Sequence, residues 1–387
     1  MPAVLYPRIT TAPKGSFFLF GLRGVGKSTW VRDQFPGSHT VDLLDESRFQ
    51  MLTANPGQLA DELRQLPPGQ VVVLDEVQRV PALLNEVHRA IESARRRFVL
   101  VGSSARRLKT AGTNLLAGRA SVRMMYPLVS WELGADFDLS RVLRFGSIPL
   151  VWHAEDPEAA LDAYVQLYVR EEIKAEAIVR NLPAFLRFLP VAALFHGQVI
   201  NTAGLARDSA AARTTVEGYL GILQDTLLAS LLPAFEPQLR VRERKHPKLY
   251  WTDPGLVRAA KRQSGPVGPE ERGPLLEGLI LMALQAQNAN KSFFDEISYW
   301  SPAQARQTEV DFLLRQGKDY VAIEVKSQPR YAAHLLSGLR AIAELPRLKR
   351  RLLIYLGGQT LKTEDGIEVW PLSTFFEAIA HNRIWRS

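Results

Sequence analysis

Gly21-Leu22-Arg23-Gly24-Val25-Gly26-Lys27-Ser28 meets the G-x-x-x-x-G-K-S/T phosphate-loop pattern at every required position. A backbone that wraps phosphates must bring its N–H groups close and use positive φ, which a Cβ would obstruct. In such a loop Gly21, Gly24, Val25, Gly26 and Thr29 line the phosphates, Lys27 reaches the β and γ phosphates, and Ser28 ligates Mg²⁺. The flanks agree. Phe17-Phe18-Leu19-Phe20 reads as a short buried strand, and Thr29 to Phe35 reads as a helix closed by Pro36-Gly37.

Outward from the loop, apolar runs alternate with amphipathic helical stretches as far as Tyr126, the pattern of a parallel α/β sheet. Strands are expected at Phe17–Phe20, His39–Leu44, Val71–Leu74, Phe98–Val101 and Ala120–Met125. Pro81 to Ser93 is expected to be a helix whose Leu84, Val87 and Ile91 form one apolar stripe. Val71-Val-Val-Leu-Asp75-Glu76 ends a strand in two acids. Asp75 suits a Mg²⁺ shell, and Glu76 suits activation of an attacking water.

The chain has 387 residues, a formal charge of +8 and no cysteine. That length implies two or three domains. Without cysteine there are no disulfides, thiol catalysis or thiolate-ligated metals. The positive charge favours a polyanionic partner, with solubility as the plainer explanation. Met1 to Lys14 lacks a signal-type apolar core, and the apolar run Leu275–Leu284 is too short to span a bilayer and carries Glu277. A cytoplasmic location is therefore expected.

Beyond Pro127 the pattern is helical. Pro157 to Leu186 holds charged amphipathic stretches such as Tyr168 to Lys174. From Phe188 to Arg258 the expected order is helix, helix, helix and two strands. Helices fall at Thr202–Arg207 and Ala210–Gln224, and strands at Leu227–Ala234 and Lys248–Trp251. The two strands bracket Arg240, Arg242, Arg244 and Lys245. This is a winged-helix outline, in which the second helix would enter a DNA groove and the basic hairpin would track phosphates. A helical connector with a solvated charged loop is the plainer alternative.

Gln263-Ser-Gly-Pro-Val-Gly-Pro269 reads as a linker. After it come a helix at Pro274–Gln287, strands at Ile297–Trp300, Glu309–Leu314 and Tyr320–Lys326, a helix at Tyr331–Glu344 and a strand at Arg351–Leu356. Asp311 is followed thirteen positions later by Glu324-Val-Lys326. Strand alternation sets Glu309 and Asp311 on one face, and likewise Glu324 and Lys326. Phosphodiester hydrolysis wants carboxylates that hold a metal and a lysine that orients water and stabilises charge. Glu277, on the preceding helix, could add a further carboxylate. The seven histidines show no metal-ligand spacing, and His88, His196 and His246 read as ordinary residues.

The loop and Asp75-Glu76 resemble those of AAA-type P-loop ATPases. That resemblance implies a first sensor at Ser103 or Ser104, after the strand Phe98–Val101, and a transition-state arginine at Arg119 acting in cis or from a neighbouring subunit. A surface arginine capping a helix end is the alternative for Arg119. A second sensor in a helical lid has candidates in Arg170 and Arg180, but no motif selects one. Asp311 and Glu324-Val-Lys326 resemble the PD-(D/E)xK nuclease superfamily, with Val310 where a proline often stands. Nearly the whole chain is similar to prokaryotic ATPases that join these modules, and Arg144-Phe-Gly-Ser-Ile-Pro149 and Lys248-Leu-Tyr-Trp-Thr-Asp-Pro-Gly255 fit their connecting segments.

The implied fold is α/β throughout its two ends. Residues 1–135 would be an AAA-type parallel-sheet core, 136–187 a helical lid, 188–262 a winged helix, and 263–387 a restriction-endonuclease-like domain. Expected ligands are ATP and Mg²⁺, with a second Mg²⁺ or Mn²⁺ on Asp311, Glu324 and Glu277. DNA and a second copy of the chain are the expected partners. Three functions remain open: an ATP-driven DNA-processing enzyme whose Lys27, Glu76, Arg119, Asp311, Glu324 and Lys326 are catalytic; a nucleotide-switched binding protein with an inert C-terminal domain; and a small-molecule phosphotransferase.

Overall fold

The computed structural model describes residues 5–104, 116, 118–168, 181–236, 246–302 and 308–385. The chain divides into two compact units. One comprises Met1–Leu128, Ile148–His153 and Asp225–Leu228, and the other comprises Val129–Ser147, Ala154–Gln224 and Ala229–Ser387. No helix among the described residues is long and apolar enough to cross a membrane.

In the first unit β1 (Ser16–Gly21) is buried at every residue, so its aromatic run packs on both faces. It lies inside a parallel sheet with β2 (His39–Asp42), β3 (Val72–Asp75), β4 (Phe98–Gly102) and β5 (Ala120–Met125) in the order β2-β3-β4-β1-β5. All five expected strands are present, with ends displaced by a residue or two. Phe18, Phe20, Leu74 and Leu100 form one face of the core with Leu59, Leu63, Leu84 and Val87 from the Gln58–Gln65 and Leu83–Ala94 helices. On the opposite side Phe17 packs edge-on against Trp30, with ring centroids 6.3 Å apart. The first helix runs Lys27–Gln34 and starts two residues earlier than expected. Gly26, with φ 93°, turns the chain directly from the loop into it.

In the second unit the Leu182–Leu194 helix is followed by β6 (Gln198–Val199), helices Thr202–Asp208 and Arg213–Asp225, β7 (Ala229–Leu232) and β8 (Lys248–Trp251). β8 is the centre of a three-stranded antiparallel sheet, β6-β8-β7. The short β6 was not legible, because two residues carry no periodicity. The expected Ala210 helix start moves to Arg213, since Ala210 has φ 51° and breaks the helical path. Arg170, Arg180 and the basic residues Arg240, Arg242, Arg244 and Lys245 lie outside the described residues.

The Pro269–Lys291 helix precedes a mixed sheet of β9 (Glu296–Trp300), β10 (Val310–Gln316), β11 (Asp319–Lys326), β12 (Leu348–Tyr355), β13 (Leu361–Lys362) and β14 (Glu368–Pro371). The order is β13-β14-β12-β11-β10-β9. β10 and β11 form a tight hairpin, with Gln316 paired to Asp319 and Gly317 at φ 59° in the turn. The single helix expected over Tyr331–Glu344 is instead a 3₁₀ turn, Ala333–Leu336, and a short helix, Ser337–Ala341. Gly338 explains the close approach: a Cβ there would lie 1.9 Å from the Glu309 carbonyl oxygen.

Candidate functional sites

The phosphate loop joins the C-terminal end of β1 to the first helix. Gly24 has φ 74° and Gly26 φ 93°, and a Cβ on Gly24 would stand 2.8 Å from Leu150 Cβ. The Gly24 carbonyl also accepts a hydrogen bond from Leu150 N at 3.1 Å, so the loop is braced by the segment at 148–153. Lys27, buried, donates to the Gly21 and Leu22 carbonyls at 2.7 and 3.0 Å. Arg8 donates to the Val25 and Tyr126 carbonyls and ties the N-terminal segment to the loop.

Ser28 Oγ donates to Asp75 Oδ2 at 2.7 Å. β4 lies between β1 and β3, so the first helical turn must reach across the tip of β4 to make this contact. Burial raises the Asp75 carboxyl above its ordinary range; the Ser28 hydrogen bond opposes that shift and the neighbouring Glu76 charge adds to it. Ser28 and Asp75 thus offer two hard oxygen donors side by side, a pair that fits Mg²⁺ bound with a triphosphate.

Glu76 adopts the left-handed region, φ 57° and ψ 43°, a conformation that costs a non-glycine residue about 1 kcal/mol and clusters at functional sites. Its carboxylate accepts from Gln78 Nε2 and lies 3.4 Å from the Ser103 hydroxyl, while Gln78 Nε2 also donates to Ser103 Oγ at 2.9 Å. Of the two serines considered for the sensor position, Ser103 is therefore joined to Glu76; Ser104 is buried beside it. Sequence reasoning missed Gln78. Its only signal was its place two residues beyond Glu76.

Arg119 lies away from the phosphate loop of its own chain. Parallel pairing sets Ala120 beside Ser16 and Met125 beside Gly21, so Arg119 lies at the opposite end of the sheet from the loop. Five strand steps amount to about 17 Å. An ion pair with Glu92 holds the guanidinium there, and a cis role at the phosphates of its own chain does not fit. Next to the loop, a cavity of about 810 Å³ is lined by Tyr6, Arg8, Gly26, Thr29, Trp30 and His153. The Tyr6 and His153 rings stack in it, 5.7 Å apart and 18° from parallel.

The second cluster lies wholly in the other unit. Asp311 on β10, Glu324 and Lys326 on β11, and Glu277 on the Pro269–Lys291 helix lie in one cluster with Glu309, Lys248 and Tyr250. Strict alternation along β10 does not hold, because its register against β9 shifts between Val310 and Leu313. Val310 turns into the core with Leu313, yet Glu309 and Asp311 still meet one group, the Lys248 ammonium, at 3.1 and 3.7 Å. Asp311 Oδ2 accepts from Val325 N at 2.8 Å, Lys326 Nζ donates to Glu324 Oε1 at 2.5 Å, and Tyr250 OH donates to Glu277 Oε2 at 3.0 Å.

Burial pushes the Glu324 carboxyl up to about 8, with the Asp311 charge adding to it. Glu277 and Asp311 are raised chiefly by the same desolvation. Burial opposes the charge on Lys248, but Asp311, Glu277 and Glu309 outweigh it and its pKa is raised. Among the described residues no three acidic or histidine side chains are disposed to hold a metal. Asp311, Glu324 and Glu277, expected as a ligand set, lie in one cluster but are not disposed as metal ligands, and the Lys248 and Lys326 ammonium groups stand among their oxygens. Lys248 and Tyr250 carried no signal as site residues, since they lie more than 50 residues from Asp311 in sequence.

The two motifs assigned to connecting segments also meet. Asp253 accepts hydrogen bonds from Ser147 N, Gly255 N and Leu256 N at 2.7, 2.9 and 3.3 Å. A Cβ on Gly146 would stand 1.8 Å from Asp253 Oδ1.

Residues 14–134 match the model of an AAA domain, residues 136–266 a domain of unknown function (DUF8612), and residues 272–375 another (DUF4143). Two curated proteins named as uncharacterized, from Mycobacterium bovis and Mycobacterium tuberculosis, are each 26% identical over 332 residues, covering 81% of this chain and 71% of theirs. Among solved structures, a Vibrio cholerae protein is 13% identical and covers 95% of this chain and 96% of its own, with a TM-score of 0.23. The phosphate loop and its five-stranded parallel sheet fall inside the first match: the chain carries an N-terminal AAA domain of P-loop ATPase-like type and a C-terminal DUF4143 domain.

Proposed function

We propose that this chain is a Mg²⁺-dependent ATPase whose nucleotide state governs nucleic-acid engagement by the second unit. The contact of Ser28 Oγ with Asp75 Oδ2 at 2.7 Å carries the ATPase assignment. The loop N–H groups and Lys27 hold the phosphates, and Lys27 exchanges the Gly21 and Leu22 carbonyls for phosphate oxygens. Mg²⁺, held by Ser28 and Asp75, would neutralise charge developing on the transferred phosphoryl group. Glu76 orients the attacking water and takes its proton, and Ser103 couples that carboxylate to the γ-phosphate position. The cavity beside Thr29, with its stacked Tyr6 and His153, suits a nucleobase. Lys27→Ala should lower ATP affinity at least tenfold, and Glu76→Gln should bind ATP normally while turnover falls about 100-fold. Unchanged ATP affinity in Lys27→Ala would refute the assignment.

The order helix, β6, helix, helix, β7, β8 supports a winged helix, with the Arg213–Asp225 helix as its groove-entering element. DNA should stimulate ATP turnover. Arg242→Ala with Arg244→Ala should weaken DNA binding and flatten its salt dependence, and an unaltered slope would assign the segment to protein contact.

For the DUF4143 region two functions stand. Convergence of Asp311, Glu324 and Lys326 favours a PD-(D/E)xK nuclease, for which Asp311→Ala or Lys326→Ala should abolish Mg²⁺- or Mn²⁺-dependent cleavage of DNA. Lys248, set between Glu309 and Asp311, favours an inert nuclease-like platform that binds without cutting. Phosphate transfer to an added metabolite, with no effect of DNA on turnover, would point instead to a phosphotransferase.

A further inference from the structure

Lys248 is the least expected member of the acidic cluster. Its side chain is only 2% exposed, and its backbone is fixed on both sides, since β8 pairs Lys248 with Val199 and with Leu232. A buried ammonium must be paired, and here its partners are Glu309 Oε1 at 3.1 Å and Asp311 Oδ1 at 3.7 Å, with the Tyr299 ring centroid at 5.4 Å. Tyr250, two residues on and so on the same face of β8, caps Glu277. One strand therefore delivers both a cation and a hydrogen-bond donor to carboxylates from two other segments, Glu309 and Asp311 at β10 and Glu277 on the Pro269–Lys291 helix.

Two of the remaining oxygens are also committed. Asp311 Oδ2 is taken by Val325 N and Glu324 Oε1 by Lys326. Glu324 Oε2, in a side chain 6% exposed, is buried without a hydrogen-bond partner among the described residues. A divalent cation needs about six oxygen ligands and no competing positive charge in its shell. Lys248 already supplies a positive charge to Glu309 and Asp311, and a metal that these carboxylates would help to hold would have to compete with it.

We infer that Lys248 is a built-in counter-ion which occupies the cation position of this cluster, so that the site binds a divalent metal only when Lys248 is removed. The inference rests on Asp311, Glu324 and Lys326 being a nuclease-like acidic site. It assigns Lys248 the role of excluding the metal from that site, a role separate from the chemistry of Lys326.

Mn²⁺ binding to the full-length, nucleotide-free chain is the test, measured by calorimetry in an Asp75→Asn background that removes the carboxylate beside the phosphate loop. Lys248→Met should gain one Mn²⁺ site at least tenfold tighter than any in the Lys248 chain, and adding Asp311→Asn should abolish it. Two outcomes overturn the inference and differ in meaning. Mn²⁺ binding that depends on Asp311 while Lys248 is present leaves the acidic site intact but makes Lys248 no barrier. A folded Lys248→Met chain that gains no site shows that the cluster is not metal-binding at all. Should Lys248→Met fail to fold, the Lys248 ¹⁵Nζ resonance of the wild-type chain decides. It should survive millimolar Mn²⁺ without broadening, and paramagnetic loss of the signal at micromolar Mn²⁺ would overturn the proposal.

Discussion

Gly102 shows how one missing side chain organises the ATPase-like site. It closes β4, and a Cβ there would meet Gln78 Oε1 at 2.6 Å. The Gln78 amide lies beside it and spans Glu76 and Ser103. Gly102→Ala should push Gln78 off both partners while leaving the phosphate loop untouched. Turnover is expected to fall about tenfold, equivalent to ~1.4 kcal/mol of transition-state stabilisation. ATP affinity should stay within about twofold, since uniform binding is not what the change removes. A matching loss in affinity and turnover, measured by calorimetry and steady-state kinetics, would place Gly102 in the loop's support instead.

At the scale of elements, two buried groups hold segments far apart in sequence. Asp253 caps the Pro254–Ala260 helix and also takes the Ser147 amide. Asp253→Ala leaves three buried N–H groups without their acceptor, a cost of about 3 kcal/mol, readable as a lower denaturant midpoint with an unchanged slope. His196 joins β8 to the Pro269–Lys291 helix. Its Nδ1 accepts from Trp251 N at 3.1 Å, and its Nε2 faces the Pro274 carbonyl at 3.0 Å. That arrangement requires the neutral ring with its proton on Nε2. Burial above all, with the Lys261 charge, pushes its pKa down to about 3 from 6.5. Because the folded value is depressed, the unfolded chain binds the proton first. The stabilisation is complete above pH 6.5 and declines as pH falls toward 3, by about 1.4 kcal/mol per pH unit through the window. His196→Asn keeps an acceptor for Trp251 N and should lessen the decline in stability between pH 6 and 4. An equal decline in both chains would assign the acid sensitivity elsewhere.

For the whole molecule the open question at Arg119 is one of assembly. Its ion pair with Glu92 is solvent-exposed, so Arg119→Ala should leave the melting temperature unchanged. Its distance from its own chain's loop means that any catalytic effect must pass to a neighbouring copy. If copies associate, turnover per chain should rise with protein concentration, and Arg119→Ala should abolish that rise without altering the dilute-limit rate. A loss of activity that persists at the dilute limit would contradict the topology argument.

Local sequence determined the ATPase-like half almost completely. A phosphate loop is contiguous, its strand and helix flank it directly, and Asp75-Glu76 ends an apolar run, so backbone geometry and chemistry are written side by side. Asp311 and Glu324-Val-Lys326 were legible for the same reason, since a two-strand hairpin carries them. Tertiary structure alone decided which groups complete these sites. Gln78 and Ser103 meet because β4 and β3 are neighbours in the sheet. Arg119 is carried to the far end because β5 runs parallel to β1. Lys248 reaches Glu309 and Asp311 because a strand of a separate three-stranded sheet lies against the acidic face, and no spacing in the sequence encodes that contact. Motifs record what a segment can do; the charge that ends up beside a carboxylate is set by packing between segments that share no sequence signal.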